Sequence, residues 1–255
     1  MSADARRREI LRRLASSGYL EAKALSAELD VDASTIRRDL DALARDGRVE
    51  RTHGGARVVD GATKDVPYVF KVGLNAAEKS AIARAAAGLV HDGASVILDS
   101  GSTTYEVAVA LQRTSALTVI TNDLRIAKLV AGFPEVRLLV AGGELLNSVY
   151  TLTGDHTVDF IRSFSADWAF LGADAIDPVT GVTNTNTLEV PVKRAMMRSA
   201  AHVAVVADHS KFGRRALAKV AEIEDADRII TDAGLSAELA EPYGETLTIA
   251  PGACA

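Results

Sequence analysis

The sequence predicts an α/β protein in two parts, an N-terminal winged helix-turn-helix and a C-terminal, mostly parallel α/β domain. Three observations carry this. Residues 6–45 hold three short amphipathic runs, the last two separated by a three-residue connection. A glycine-bearing hairpin pattern with basic flanks follows at 48–59. From Glu78 onward, apolar runs alternate with helical patterns, and continuous apolar strands between helices mean a parallel sheet covered on both faces. The expected divisions are residues 1–59, a linker at 60–77, and 78–255.

The first helix is expected over 6–17 (RRREILRRLASS), with Ile10, Leu11 and Leu14 on one face and Gly18 ending the run. Residues 21–29 form a second, turning Ala22, Leu25 and Leu29 inward. Asp30-Val31-Asp32 leads into a third, capped by Asp32 or Ser34. Its apolar stripe is Ile36, Leu40 and Leu43, and Gly47 stands where a left-handed C′ residue is wanted. The opposite faces carry Arg37, Arg38, Asp41 and Arg45. The helix therefore shows Ser34, Thr35, Arg37 and Arg38 near its N-terminus, where a recognition helix meets the major groove. Hydroxyls suit phosphate oxygens, and arginine reaches guanine bidentately.

Arg48–Arg51 reads as a short strand, Thr52–Ala56 as a turn and Arg57–Val59 as the returning strand. This wing would carry Arg51, His53 and Arg57 to the phosphate backbone. His53 has no ligand-type neighbours, so a metal is not expected there. Two adjacent arginines on a helix are ordinarily just a solvated face; the turn before them and the wing after them favour double-stranded DNA as the partner.

Composition narrows the classes. Hydrophobic content of 48% and charged content of 25% are ordinary for a soluble globular chain. The net charge is −5, with 12 basic against 11 acidic side chains in residues 1–60 and 17 against 23 in the rest. DNA binding would therefore rest on a local patch of Arg6, Arg7, Arg8, Arg37, Arg38, Arg51 and Arg57. The single cysteine, Cys254, excludes an intrachain disulfide framework. With no signal peptide and no apolar run of 18 residues, a cytoplasmic protein without a membrane partner is expected.

In the second part, helical patterns are expected over 78–90, 105–112, 124–131, 155–164 and 188–200. Strands are expected over 95–98, 117–121, 136–141, 168–171, 203–207 and 228–232. Ligands of open α/β sheets bind beyond the carboxyl ends of the strands. Polar residues gather there: Asp99–Thr104, Thr121–Asn122, Gly142–Gly143, Gly172–Asp174 and Asp208–Lys211. The richest run is DSGSTT, where Gly101 permits a tight turn and the hydroxyls of Ser102, Thr103 and Thr104 follow into a helix. Helix N-terminal N–H groups favour an anion, so a phosphate is the natural guest. No Gly-Lys-Ser/Thr follows, which disfavours a nucleoside triphosphate, and no dinucleotide fingerprint or other cofactor motif is present. Lys211 is a cation suited to a phosphate or sugar oxygen. Glu189 and Lys193 are spaced i, i+4; they form a helix-surface pair, or else Glu189 accepts from sugar hydroxyls.

The segment STIRRDLDALARDGRVERTHGGA resembles the N-terminal domain of the DeoR family of bacterial transcriptional regulators. DSGSTT, TND, AGGEL, SADWAFLGADAID, the Thr183–Lys193 segment and ADHSKFG resemble that family's effector domain, in the family's order over nearly the whole chain. The resemblance implies a fold like ribose-5-phosphate isomerase. It also implies a repressor of a carbohydrate operon, acting as a homo-oligomer (dimer or tetramer) and released by a phosphorylated sugar or related metabolite. By it, Asp99, Gly101, Ser102, Thr103, Asn122, Gly143, Asp174, Glu189 and Lys211 become the ligand set. The chain departs from the family pattern in carrying Lys71 where Arg is usual, Asp155 where Pro is frequent and Ala175 where Gly is common. The competing class is an isomerase-type enzyme with an appended helical domain. Such an enzyme needs a positioned base and a cation near the carbonyl, roles that Asp174, Glu189 and Lys211 have the chemistry to fill.

Overall fold

The computed structural model describes residues 2–45, 48–57, 68–146 and 149–252. The chain divides into two compact units, Met1–Ala76 and Ala77–Ala255. The capping role expected of Gly47, the ends of the wing at Val58 and Val59, and residues 60–67 of the linker lie outside the described residues.

The first unit contains α1 (Ala3–Ser17), β1 (Tyr19–Glu21), α2 (Ala22–Leu29), α3 (Ala33–Arg45), β2 (Glu50–Thr52), β3 (Gly55–Arg57) and α4 (Tyr68–Gly73). Its core is the expected stripes brought together: Ile10, Leu11 and Leu14 of α1, Leu25 of α2, and Ile36, Leu40 and Leu43 of α3, closed by Val49 and Ala56. Asp32 is the cap of α3. Its Oδ1 accepts from Ser34 N at 2.7 Å, and its carbonyl accepts from Thr35 and Ile36. Hydrogen bonds from the Ser34 hydroxyl and N–H hold the Asp32 carboxyl below its ordinary pKa.

Two elements differ from expectation. Tyr19–Glu21 is a strand antiparallel to β3, making the wing a three-stranded sheet in the order β1-β3-β2. A Cβ at Gly55 would lie 2.1 Å from the Leu20 carbonyl oxygen, so glycine is what lets these strands close. Part of the stretch expected to be linker is helical: α4 packs against α1 within the first unit. Six residues are too few for a legible helical period, which is why the pattern hid it.

The second unit opens with α5 (Ala76–Ala87), β4 (Ser95–Leu98), α6 (Ser102–Ala110), β5 (Thr118–Thr121), α7 (Leu124–Val130) and β6 (Arg137–Val140). There follow β7 (Glu144–Leu146), β8 (Thr151–Thr153), α8 (Asp155–Arg162), β9 (Ala166–Leu171), β10 (Ala175–Asp177) and β11 (Gly181–Asn184). It closes with α9 (Val190–Arg198), β12 (Ala200–Val206), β13 (Ala218–Ala221), β14 (Arg228–Asp232), α10 (Ala237–Ala240) and β15 (Leu247–Ala250). Seven strands form one sheet in the order β15-β14-β12-β9-β4-β5-β6, every pair parallel.

Both faces of this sheet are buried. Val96, Leu98, Val119 and Phe170 face one layer with Ile82, Val107 and Ile126. Ile97, Ile120, Ala169 and Val205 face the other with Ile161, Val192 and Met196. Successive strand residues point to opposite sides, so a strand buried on both must be apolar throughout. From β4 the chain builds outward to β5 and β6, then returns to lay β9, β12, β14 and β15 on the other side of β4. The gap between β4 and β9 is thus the topological switch point, where open α/β sheets place their ligands. The expectations missed a small sheet, β10-β11-β13, the β7–β8 hairpin and β15. Among the described residues no helix is long and apolar enough to cross a membrane.

Candidate nucleic-acid interface and effector site

Helix α3 presents what the reading predicted at its N-terminal end: Ser34, Arg37 and Arg38 are exposed and Thr35 is half-buried. Neither Arg37 nor Arg38 has an ion pair among the described residues. The next residue behaves oppositely. Asp39 is buried and accepts from Arg6 Nε and, at 2.9 Å, from Arg7 Nε. Arg6 and Arg7 therefore tie α1 to the back of α3. The Arg8 side chain lies outside the described ones. On the wing, Arg51 Nε donates to Asp41 at 2.8 Å and Arg51 also donates to the Gly55 carbonyl, while Arg57 bridges to Glu50 at 3.1 Å. Exposed pairs of this kind contribute little. His53 is exposed in the turn beside Gly54, whose φ is +92°.

In the second unit the structure brings the expected strand ends to one rim: Gly143 after β6, Asn122 after β5, Asp99–Thr104 after β4, Asp174 after β9 and Lys211 after β12. Helix α6 starts at Ser102, three residues earlier than expected, so its first turn contains the hydroxyl run. Gly101, at φ 146°, caps α6 without a side-chain hydrogen bond, leaving the first N–H groups open. Among the described residues, the hydroxyls of Ser102 and Thr103 make no hydrogen bond. Thr104 is different. Fully buried, its Oγ1 donates to the Gly101 carbonyl at 3.1 Å, so that hydroxyl braces the turn.

Asp99 is held within the protein. It is buried, accepts from Gly172 N at 3.0 Å, and forms an ion pair with Lys193 Nζ, which also donates to the Gly172 carbonyl at 2.9 Å. Lys193 is 2% exposed. Of the two readings left open for Glu189 and Lys193, the surface pair falls: both are buried, and Lys193 laces the ends of β4 and β9 together across the switch point. Burial alone would lower the Lys193 pKa. The carboxylates of Asp99, Glu189 and Asp174 outweigh it and hold the pKa above its ordinary value. Burial pushes Asp99 upward, against the ammonium of Lys193 and the N–H groups of Gly172 and Ser100. Those groups are all donors, so the charged pair is the form the geometry supports. The pairing was unreadable because its partners are 94 residues apart; the available signal was that Lys193 sits among the inward residues Val190, Val192 and Met196 of α9.

Glu189 accepts from Asn184 Nδ2 at 2.6 Å, and Asp174 accepts from Thr185 N at 3.0 Å. Asn122 donates to the Leu152 carbonyl at 3.0 Å. Among the described residues, the side-chain oxygens of Asn122 and Asn184 are buried without a donor. Gly143 has a structural reason to be glycine, since a Cβ there would lie 2.1 Å from Thr157 Oγ1 and 2.5 Å from the Thr153 carbonyl oxygen. Lys211 stands in a single 3-10 turn after β12, half-buried.

The family model of the DeoR-like helix-turn-helix domain matches residues 6–62, and that of the DeoR C terminal sensor domain matches residues 74–233. Among similar proteins, the putative aga operon transcriptional repressor of Escherichia coli O157:H7 is 37% identical, covering 92% of this chain and 88% of its own length. The glycerol-3-phosphate regulon repressor of Escherichia coli (strain K12) is 34% identical, covering 91% and 92%. Transcriptional repressor AccR of Agrobacterium fabrum is 36% identical, covering 91% of each. Of solved structures, ribose 5-phosphate isomerase A from Methanocaldococcus jannaschii is 21% identical over 54% of each chain, with a TM-score of 0.40. The translation initiation factor eIF-2B of Pyrococcus horikoshii OT3 is 16% identical over 89% and 88%, with a TM-score of 0.46.

Proposed function

This chain belongs to the DeoR family of transcriptional regulators, and on that premise we propose that it is a cytoplasmic repressor that leaves its operator when a phosphorylated sugar or related metabolite binds the second unit. The observation that carries the sensor half is the first turn of α6. Open N–H groups and the hydroxyls of Ser102 and Thr103, unpaired among the described residues, stand at a parallel-sheet switch point beside a buried lysine–carboxylate pair. That is an arrangement for a phosphate group. The acceptors around it, Asp174, Glu189 and the donorless amide oxygens of Asn122 and Asn184, suit the hydroxyls of a carbon skeleton. Curated relatives named as repressors favour a regulator over an isomerase, and we assign the second unit no catalysis.

For the DNA half, Ser34, Thr35, Arg37 and Arg38 enter the major groove while Arg51, His53 and Arg57 follow the backbone. A symmetric oligomer presents two such modules about 34 Å apart, one per half-site. The effector acts only through its differential affinity for the DNA-competent and DNA-incompetent states, typically about 1–3 kcal/mol. The test is fluorescence anisotropy on duplexes from beside its own gene at low salt. Glycerol 3-phosphate and a panel of sugar phosphates are then added, each paired with its unphosphorylated parent. The expected result is duplex-specific binding reversed by one phosphorylated member only. Lys211→Ala should keep operator affinity and lose the reversal. Indifference to every duplex removes the DNA reading, and unaltered reversal in Lys211→Ala removes that lysine from the pocket.

A further inference from the structure

The rim of strand ends carries one histidine that the foregoing roles do not use. His209 opens the 3-10 turn after β12. Its backbone N–H donates to Asp232 Oδ1 at 2.8 Å, and its Nδ1 lies 2.8 Å from Asp232 Oδ2. Asp232 ends β14 and is buried, with a side chain 4% exposed; the imidazole is 35% exposed. Gly234 N donates to the same Oδ2 at 2.9 Å. A Cβ at Gly234 would lie 2.5 Å from His209 Nδ1 and 2.7 Å from Asp232 Oδ2, so the loop closes over the pair only because residue 234 has none. Three positions on two loops thus hold one imidazole in one orientation. A carboxylate only accepts, so the shared proton belongs to Nδ1. Nε2 is the ring nitrogen that Asp232 does not hold.

We propose that His209 is a specificity-determining residue of the effector site, hydrogen-bonding a hydroxyl of the ligand's carbon skeleton through Nε2 while Asp232 holds Nδ1 and with it the orientation of the ring. This rests on the sensor reading above and adds to it a division within the ligand. The first turn of α6 takes the phosphate, and His209, on the far side of the switch point, reads a hydroxyl. The ligand class is therefore a polyhydroxylated phosphate ester rather than any phosphate-bearing compound. A ring nitrogen held in one orientation discriminates against a ligand lacking that hydroxyl, which forfeits the hydrogen bond.

The experiment uses the full chain and two variants chosen by atom. Asparagine places its side-chain amide near the position of Nδ1 and glutamine places its own near Nε2. His209→Asn therefore keeps a donor to Asp232 and removes the reading atom. Affinities for inorganic phosphate and for the panel's stabilising sugar phosphate are measured by thermal shift, with the ligand-free melting temperature as the folding control. His209→Asn should melt like the parent, bind inorganic phosphate unchanged and bind the sugar phosphate on the order of tenfold more weakly. His209→Gln, with an amide that offers an oxygen near Nε2, should recover part of that loss. Three results overturn the proposal: undiminished sugar-phosphate affinity in His209→Asn, an equal loss on inorganic phosphate, or loss only where the ligand-free protein is itself destabilised. If the parent chain responds to no phosphorylated compound, the sensor reading itself fails, which the parent measurement alone reveals.

Discussion

The two units handle charge in opposite ways. On α3 the groups proposed to meet DNA, Arg37 and Arg38, are exposed and, among the described residues, without an ion pair, while the carboxylate that follows them, Asp39, is buried under Arg6 and Arg7. In the second unit the charged groups nearest the candidate pocket are themselves buried and joined: Asp99 with Lys193, Glu189 with Asn184, Asp232 with His209. A polyanion is met by free cations at a wet surface, where counterion release makes affinity fall steeply with salt. A small ligand is met by groups already desolvated and oriented, where screening is weak. Titrating NaCl should therefore weaken operator binding over several decades while leaving effector affinity nearly level; parallel salt slopes would erase the distinction.

The largest expected effect is at Lys193. Lys193→Met leaves Asp99 buried without its cation, which should cost about 3–5 kcal/mol of unfolding free energy in urea. Adding Asp99→Leu should return most of it, because a buried pair replaced by apolar groups is often neutral. A Lys193→Met protein as stable as its parent would mean that the pair is not desolvated in solution. Next comes Arg37→Ala, expected to weaken operator binding by roughly 1–3 kcal/mol if it reads a base, measured against a scrambled duplex at matched salt. An equal loss on both duplexes reduces Arg37 to a phosphate contact.

The smallest effect concerns Asp177, the last residue of β10. Burial alone would raise its pKa, but the Thr180 hydroxyl and N–H, Arg215 and the Val179 N–H bring it down to about 2. A carboxyl depressed on folding lends stability that is complete above its unfolded value of 3.8 and is lost as pH falls toward about 2. The parent chain should lose on the order of 1–2 kcal/mol across that window beyond what Asp177→Asn loses. Parallel acid-unfolding curves for the two would assign the acid sensitivity to other groups.

How much of this was legible in the chain follows from how each element is stabilised. The parallel strands were readable because burial on both faces writes an unbroken apolar run, as in VIL at 96–98 and AVV at 204–206. The three amphipathic helices were readable because a single stripe packs inward. Strands such as YLE at 19–21 and GVTN at 181–184 were not, since three or four mixed residues carry no period and are held by pairing with distant partners. The rim of polar strand ends was visible for the same reason as the strands. What each polar group does there was not: Asp99, Thr104 and Gly143 each have a scaffold role set by neighbours far away in sequence or by local packing.

The fork of Arg6 and Arg7 on Asp39 has a consequence for how such a protein changes its target. The side of α3 that meets α1 is locked by a carboxylate gripped twice, so the helix holds its pose whatever stands on its outer side. Ser34, Thr35, Arg37 and Arg38 are then free to be exchanged for other readers without disturbing the hinge-like seam behind them. One frozen edge and one permissive edge along thirteen residues make α3 a replaceable key on a fixed shank.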